Sequence, residues 1–519
     1  MPPIWYGHQG QMVSDRPYQS RRAVGSLLVN VDPRARAPMF EQLYEQIRTR
    51  ILAGELPRGV ALPSSRRLAT DLGVSRTTVL QAISALVDEG YVVATSRSAI
   101  RVATSLPDQE QLEAARRGSS GSRRPRLSAL ARATAALPAG VPRLGAAPRA
   151  FRPGVPALDQ FPIGAWTRVV ATSHARAKLS LLEAADPAGH RGLREAIANQ
   201  LATARGVRCS VDQVFITTGM QQAIDEVLRL CVDPGDEVWV EDPCYFGARR
   251  AVTAAGARLV PVPVDDEGLD VAAGVARAPH ARAAVVTPSH HYPLGVTTSL
   301  ARRMALLAWA TRARAIVIED DYDSEFRHHG RPIMSLAGLD DTGCVVYAGT
   351  FSKTLYPGLR IGFAIVPPAL VDAYAACRRA TGNPASILEQ DALATFIADG
   401  RFARHLRKMR GVYRERAEAF VEALRAECYP ALVAGPCDTG MQASAMLATG
   451  SDRRFRDAAA ARGIEVGAIS DYSVSRPRLR GLVFGFGCVR PAALRTGCRE
   501  LARVVDDTRG NADRASLVT

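Results

Sequence analysis

The chain has 519 residues, of which 47% are hydrophobic and 23% charged, a composition that excludes a fibrous or fully disordered protein. Its formal net charge of +15 favours a polyanionic partner. No apolar run approaches the roughly 18 residues that a membrane span needs, and the N-terminal residues lack the pattern of a signal peptide. The nine cysteines are scattered without metal-ligand spacing. We therefore expect reduced thiols, no metal site and a cytoplasmic location without membrane attachment.

Composition changes along the chain predict four segments. Residues 1–25 are expected to form a disordered tail. Residues 26–104 are expected to form a small domain, and residues 1–104 hold 13 arginines against 8 acidic residues. Residues 105–150 are rich in Gly, Ser, Arg and Pro, which predicts a flexible basic linker. Residues 151–510 alternate helical patterns with short apolar strands, which favours an α/β domain built on a mostly parallel sheet.

The segment 38–102 has the pattern of a winged helix-turn-helix. Apolar residues repeat at helical spacing over residues 40–51 and predict a first helix. Ser64 or Ser65 can cap a second, short helix, and Gly73 supplies the tight turn before a third helix.

The predicted third helix projects polar side chains that suit phosphates and major-groove base edges. Its apolar stripe is formed by Val79, Ile83, Leu86 and Val87. Two short runs, 91–94 and 100–102, predict the strands of a wing with Arg97 near its tip. We expect DNA contacts from Ser64, Arg66, Ser75, Arg76, Thr77, Thr78, Gln81 and Arg97.

Lysine is scarce in this chain, since only three of the 66 basic residues are lysines. Arginine cannot serve as a neutral amine, so a Schiff-base site is one place where lysine is required. Lys353 follows a predicted strand and would form the imine with an aldehyde cofactor. Asp320 ends another buried strand and can protonate a pyridine nitrogen, and the phenol of Tyr322 can bond the 3-hydroxyl of the ring. Tyr245, after a further strand, offers an aromatic surface for the ring.

Hydroxyl, guanidinium and backbone N–H groups predict a phosphate-binding pocket near the same lysine. Thr350, Ser352 and Arg360 flank Lys353 and can bond phosphate oxygens. A strand-to-helix turn upstream offers N–H groups and the positive end of a helix. That turn consists of Gly219, Met220 and Gln221. Together these groups predict an aldehyde cofactor that carries a phosphate.

The N-terminal segment resembles the GntR superfamily of bacterial regulators. The family pattern is matched at Leu62–Arg66, at Leu72–Arg76 and at Glu89–Tyr91. The resemblance implies that this segment binds double-stranded DNA.

Residues 151–510 resemble the fold-type-I pyridoxal-phosphate aminotransferases, especially the aminotransferase-like domain of the MocR/GabR group. Matching stretches are Phe161-Pro162 with Trp166, His190–Arg194, Pro288–Pro293 and the segment around Lys353. The resemblance implies pyridoxal 5'-phosphate (PLP) as the cofactor and Lys353 as the Schiff-base lysine. By this resemblance the catalytic residues are Lys353, Asp320 and Tyr322, joined around the cofactor by Tyr245, Gly219, Met220, Gln221, Thr350, Ser352 and Arg360.

A GntR-like segment joined by a linker to such a domain is the architecture of that group. It implies a homodimeric transcriptional regulator that binds paired operator half-sites. The regulator would sense PLP itself, or a small amine or amino-acid effector, through an imine at Lys353. The alternative is a true PLP-dependent aminotransferase with a basic N-terminal extension, because enzyme and regulator need the same lysine. An inactive enzyme domain on a nucleoid protein would need neither Lys353 nor Asp320, yet both are present.

The large domain departs from the aminotransferase-like pattern at one residue and in one strand. The glutamine that usually follows Pro-Ser-His is His291 in this chain. Aminotransferases also place an arginine in a late strand to bind the carboxylate of the substrate, whereas the stretch Leu482–Gly487 contains none. Arg478 and Arg480, just before that stretch, are the candidates to replace it.

Overall fold

The computed structural model describes residues 22–24, 27–35, 37–94, 100–104, 126–137, 150–181, 186–328, 333–382 and 385–516. The chain divides into two compact units, Met1–Arg126 and Leu127–Thr519. Among the described residues, no helix is long and apolar enough to cross a membrane.

Most of the predicted tail and linker lies outside the described residues. Of the tail 1–25 only Arg22–Val24 is described, and it forms a strand. Of the linker 105–150 the structure describes residues 126–137 and Ala150, and it places a helix at Ala129–Ala135. The segment boundaries therefore stay predictions.

The first unit contains a hairpin, three helices and a small sheet. Its strands are β1 (Arg22–Val24), β2 (Leu27–Val29), β3 (Ala61–Leu62), β4 (Val92–Ala94) and β5 (Ile100–Val102). Its helices are Met39–Leu52, Ser65–Leu72 and Arg76–Asp88. Strand β5 pairs antiparallel with both β3 and β4. The two predicted wing strands are thus paired, and β3 completes the sheet.

Local capping explains where the second and third helices begin and end. The Ser64 hydroxyl accepts the N–H of Arg67, so Ser64 rather than Ser65 is the cap of the second helix. Gly73 ends that helix at φ +65°, a conformation that favours glycine. The Ser75 hydroxyl then accepts the N–H of Thr78 at 3.1 Å and starts the third helix.

The third helix buries most of its predicted stripe. Val79, Ile83 and Leu86 are buried in the core of the first unit. Val87 was assigned to the same stripe, but this assignment is wrong because its side chain is 37% exposed. A helix turns 100° per residue, so Val87 lies beyond the edge of the stripe set by its three neighbours.

The second unit is built on an eight-stranded mixed sheet, which confirms the predicted α/β fold. In chain order its strands are β6 (Val214–Thr217), β7 (Glu237–Asp242), β8 (Arg258–Asp265), β9 (Gly268–Leu269), β10 (Ala283–Val286), β11 (Ile316–Asp321), β12 (Val345–Thr350) and β13 (Gly362–Ile365). Their spatial order is β6-β13-β12-β11-β10-β7-β8-β9. Neighbours from β12 to β8 are parallel, and β13 runs antiparallel to both of its neighbours.

Helices precede, alternate with and follow these strands along the chain. They are Ala129–Ala135, Ile163–Ala175, Arg191–Ala204, Met220–Cys231, Phe246–Ala254, Val271–Arg277, Leu300–Ala313, Leu336–Leu339, Phe351–Thr354, Val371–Thr381, Ile387–Ala398, Arg401–Cys428, Asp452–Ala461, Ile469–Tyr472 and Pro491–Ser516. All residues of β10, β11 and β12 are buried, as expected for a parallel sheet that is covered on both faces.

A second, four-stranded antiparallel sheet follows in the chain. Its strands are β14 (Leu432–Ala434), β15 (Gln442–Leu447), β16 (Gly467–Ala468) and β17 (Gly481–Gly485), in the spatial order β14-β15-β17-β16. The sequence predicted the stretch that contains β17 but not this separate sheet.

Candidate functional site

The candidate site lies at the carboxyl ends of parallel strands of the large sheet. Strands β7, β10, β11 and β12 are joined in parallel, so the residues after their last positions meet at one edge. Tyr245 follows β7, Asp320 lies within the end of β11, and Lys353 follows β12. Residues that are far apart in the sequence therefore come close together at this edge of the sheet.

Lys353 lies in the short helix Phe351–Thr354 directly after β12. Its amine donates a hydrogen bond to the Gly154 carbonyl at 2.6 Å. Burial lowers the pKa of Lys353, while the Asp323 and Asp320 carboxylates partly oppose that shift. A larger fraction of the amine is therefore neutral near pH 7 than in a free lysine, which is what a nucleophilic amine needs.

Asp320 and its neighbour Asp321 point in opposite directions because successive side chains alternate along a strand. The Asp321 carboxylate is paired with the Arg205 guanidinium at 2.8 Å and accepts the Tyr347 hydroxyl at 2.8 Å. Asp320 is 5% exposed, and its Oδ1 has no hydrogen-bond partner among the described residues. Burial, then the nearby Asp321 and Glu241 carboxylates, raise the pKa of Asp320 well above its usual range. Asp320 can therefore hold a proton and share it with a base.

The Tyr322 hydroxyl is held from two sides. The Gln442 amide donates to it at 3.2 Å, and His290 Nδ1 lies 3.1 Å away. His290 Nδ1 is also 2.9 Å from the Asp323 carboxylate, which can only accept, so we assign the hydrogen to Nδ1. The Tyr322 oxygen thus accepts from Gln442 and lies near a second donor. Its own hydrogen is free for another partner.

The turn predicted to bind the phosphate joins β6 to the helix Met220–Cys231. Gly219 has φ +130° and precedes the helix Met220–Cys231, whose first N–H groups have no partner within the helix. The Thr350 hydroxyl accepts the Ser352 N–H at 3.2 Å. A Cβ on Gly219 would lie 4.0 Å from the Thr350 hydroxyl oxygen. A Cβ on Gly362 would lie 2.6 Å from the Gly219 Cα, so β13 can approach this turn only with glycine there.

The remaining predicted cofactor residues differ in their surroundings. The Gln221 side chain donates to the Gly247 carbonyl at 3.0 Å, which leaves its backbone N–H as the group available to a phosphate. Arg360 is exposed and has φ +54°. Burial, and after it the negative charge of Asp320, raises the pKa of Tyr245 to about 12. The positive charge of Arg360 partly opposes this rise. Tyr245 therefore lies within electrostatic reach of both Asp320 and Arg360.

His291 is a buried neutral group behind the site. Its Nε2 donates to the Pro243 carbonyl at 3.1 Å, and its Nδ1 accepts the Leu294 N–H at 3.3 Å. Burial lowers the pKa of His291 from 6.5 to about 3. Both ring nitrogens are used, so His291 fixes the loop after β10 rather than facing a ligand.

Several site residues were not predicted, because their roles depend on partners that are distant in sequence. Gln442 comes from the second sheet, and Arg205 lies at the end of a helix far upstream of Asp321. The buried Glu241 accepts both the N–H and the hydroxyl of Thr287, and burial raises its pKa to about 7. The acidic sequence after β11 was a signal for such a network, but it did not indicate the partners.

The two arginines proposed to replace a strand arginine are both exposed. The Arg480 guanidinium donates to the Gly450 carbonyl at 3.3 Å. Gly450 lies beyond the end of β15 that is opposite to Gln442. Arg480 is therefore directed away from the residues around Tyr322.

In the first unit, most predicted DNA-binding residues are accessible. Exposed side chains belong to Ser64, Arg66, Ser75, Arg76, Thr77 and Gln81. Thr78 is half-buried, and its hydroxyl bonds the Ser75 hydroxyl at 2.8 Å, so it supports the cap. Arg97 lies outside the described residues. The exposed groups sit at the first turns of the two helices that the turn at Gly73 joins.

Comparisons with known proteins agree with both halves of this description. Residues 40–102 match the bacterial regulatory proteins of the gntR family, and residues 157–481 match aminotransferase class I and II. The solved structure of LysN, an alpha-aminoadipate aminotransferase from Thermus thermophilus complexed with N-(5'-phosphopyridoxyl)-L-leucine, is 27% identical. It aligns with a TM-score of 0.64 over 70% of this chain and 92% of that chain.

Two curated relatives extend over nearly the whole chain. The probable rhizopine catabolism regulatory protein MocR of Rhizobium meliloti is 39% identical over 91% of this chain and 94% of its own length. The HTH-type pyridoxine biosynthesis transcriptional regulator PdxR of Corynebacterium glutamicum is 31% identical over 93% of this chain and 99% of its own length. The chain therefore belongs to the MocR-type transcriptional regulators, which join a GntR-family DNA-binding domain to a PLP-binding aminotransferase-like domain.

Proposed function

We propose that this regulator changes its binding to DNA when its large domain senses PLP, or a primary amine that reaches the cofactor at Lys353. The observation that carries the proposal is the position of the Lys353 amine at the same sheet edge as Asp320, whose buried Oδ1 lacks a partner among the described residues. A lone lysine would be a weak argument. A lysine beside an unsatisfied carboxyl group that can bond a pyridine nitrogen is specific evidence for a cofactor site.

The residues present fit PLP. The unpartnered Oδ1 of Asp320 suits the ring nitrogen, the free hydrogen of Tyr322 suits the 3-hydroxyl, and Tyr245 offers its ring face. Around the phosphate we place Gly219, Met220, Gln221, Thr350, Ser352 and Arg360. When bound, PLP supplies an aldehyde that reacts with primary amines and a ring that withdraws electrons.

The protein's own groups then control protons and position. A larger fraction of the Lys353 amine is neutral than in a free lysine, because burial lowers its pKa. Asp320 binds a proton more readily than a free carboxyl group, because burial and neighbouring carboxylates raise its pKa. The Tyr322 hydroxyl accepts a hydrogen bond from Gln442, which belongs to the second sheet. A movement of Tyr322 at the cofactor would therefore act on that sheet. These features support a domain with two arrangements, as regulation requires.

On the DNA side, we propose that the exposed groups Ser64, Arg66, Ser75, Arg76, Thr77 and Gln81 contact the operator. We further propose a homodimer, because aminotransferases of this fold usually build their sites between subunits and a dimer presents two recognition helices to paired half-sites. We also propose a cytoplasmic location, which the DNA-binding family and the nine free cysteines support.

Replacing the candidate lysine tests the proposed cofactor site. We expect Lys353→Ala to abolish the visible absorption of lysine-bound cofactor and the response of DNA binding to PLP, since the attacking amine is lost. Lys408→Ala, which changes an exposed lysine on the helix Arg401–Cys428, is the matched control and should behave like the wild type. If the absorption persists in Lys353→Ala, the assignment of the lysine is wrong.

A second candidate function is transamination, because Lys353, Asp320 and Tyr322 are together in the arrangement that an enzyme needs. This candidate predicts many turnovers when the protein is mixed with an amino acid and a 2-oxo acid. The regulator predicts a change in DNA binding without sustained turnover. Measuring keto-acid formation and DNA affinity on the same sample separates the two.

A further inference from the structure

One face of the four-stranded sheet is turned toward the candidate cofactor site. Directly opposite residues of antiparallel strands share a face. The facing pairs of β15 and β17 are Gln442 with Gly485, Ser444 with Val483 and Met446 with Gly481. The Gln442 amide bonds Tyr322, and the Ser444 hydroxyl donates to the Leu294 carbonyl at 3.0 Å. This set of six residues is here called the facing surface, and it reaches the site through Gln442.

The facing surface contains no charged side chain. Val483, in its centre, is fully buried in an apolar cluster with Leu294, Tyr472 and neighbouring residues. Arg480 precedes the end of β17 that pairs with Met446, while Gln442 lies four residues along β15 from Met446. At about 3.3 Å per residue this separates Arg480 from Gln442 by more than about 13 Å.

The polar atom of the facing surface that is left for a ligand is an acceptor. Gln442 is 3% exposed, its amide nitrogen is used by Tyr322, and its Oε1 has no partner among the described residues. The Asp323 carboxylate adds a negative charge nearby, 2.9 Å from His290 Nδ1. A carboxylate brought here would meet acceptors and negative charge, whereas a hydroxyl or N–H group would satisfy the amide oxygen.

We propose, on the basis of the function proposed above, that the effector is a hydroxylated primary amine without a carboxylate, and that Gln442 selects it. The amine of the effector reaches the cofactor, and a hydroxyl group donates to Gln442 Oε1. That oxygen is buried in this structure, so the contact forms only when the facing surface moves relative to the large sheet. Effector choice and rearrangement are thereby linked through one residue.

The test compares two amines that share a carbon skeleton. Serinol (2-amino-1,3-propanediol) carries a second hydroxymethyl group where serine carries a carboxylate. Full-length protein loaded with PLP is titrated with serinol, L-serine and D-serine while the visible absorption of the cofactor is followed. We expect half-saturation by serinol at a concentration at least about tenfold lower than by either serine enantiomer, because unpaired acceptors discriminate strongly.

Equal or tighter response to a serine enantiomer, or no response to serinol, would overturn this inference and leave the regulator intact. Failure of the wild type to hold PLP at all would overturn the proposed function and, with it, the inference that depends on it.

Variants of the facing surface test the role of Gln442. Gln442→Arg should shift the preference toward serine, because it adds a guanidinium for the carboxylate. Ser444→Ala, on the same face but without contact to Tyr322, should keep the serinol preference. If Gln442→Arg fails to fold, Gln442→Leu should bring the ratio of the two half-saturating concentrations toward one. An unchanged ratio in a folded Gln442 variant would refute its selecting role.

Discussion

Asp320 and Asp321 are adjacent and chemically identical, but their carboxylates have different surroundings. The Asp321 carboxylate is paired with Arg205 in the interior, whereas Asp320 Oδ1 has no partner within the described part of the chain. The pair therefore offers a matched comparison, in which the same substitution at adjacent positions separates cofactor binding from stability.

We predict that Asp320→Asn retains PLP poorly, since an amide cannot share a proton with the ring nitrogen, while the melting temperature of the cofactor-free protein changes little. Asp321→Asn should instead destabilise the cofactor-free protein by about 3–5 kcal/mol, because it leaves the Arg205 charge buried without its partner. Cofactor retention after dialysis and thermal unfolding report the two properties. Equal retention by Asp320→Asn and the wild type would remove Asp320 from the cofactor site.

His291 makes the stability of the large domain depend on pH. Its pKa falls from 6.5 to about 3 on folding, so between these values the unfolded chain binds a proton that the folded chain does not. The free energy of unfolding therefore decreases as the pH falls below about 6.5, by about 2 kcal/mol at pH 5 for this residue.

We predict that His291→Gln loses less stability than the wild type between pH 7.5 and pH 5. Glutamine does not titrate, and its amide can donate to the Pro243 carbonyl as the imidazole does. Thermal melting of both proteins at the two pH values checks this. If the two melting temperatures fall in parallel, His291 does not carry the acid sensitivity.

At the scale of elements, the third helix of the first unit carries most of the groups proposed to contact DNA. Arg76 is exposed at its first turn, directly after the Ser75 cap. We predict that Arg76→Ala weakens binding to the operator by about 1–3 kcal/mol if it contacts a base edge. Arg50→Ala, at the end of the first helix and 3.8 Å from the Glu55 carboxylate, is the control for the loss of one positive charge. Similar effects of both variants in fluorescence anisotropy would show that only net charge matters.

Local signals were sufficient to predict some elements and not others. Caps and turns act within a few residues, so Ser75, Gly73 and the paired wing strands could be predicted from sequence. The strands that end near Asp320 and Lys353 were visible as short apolar runs. The four-stranded sheet was missed because β14 and β16 have only three and two residues and polar residues interrupt β15, and its contact with Tyr322 depends on the packing of two sheets.

For the whole molecule, the basic charge and the two family matches describe a DNA-binding regulator with a PLP-binding domain. Net charge of +15 strengthens association with any DNA, so specificity must come from the recognition helix and from the proposed paired half-sites. Binding of PLP or an amine can alter DNA affinity only if it favours one arrangement of the protein over another.

The most direct test is a footprint of the full-length protein on the DNA upstream of its own gene. It is performed without PLP, with PLP, and with PLP plus serinol. We predict protection of two half-sites whose extent or occupancy differs among these conditions, and no such difference for Lys353→Ala. Absence of specific protection, or identical protection in all three conditions, would contradict the account.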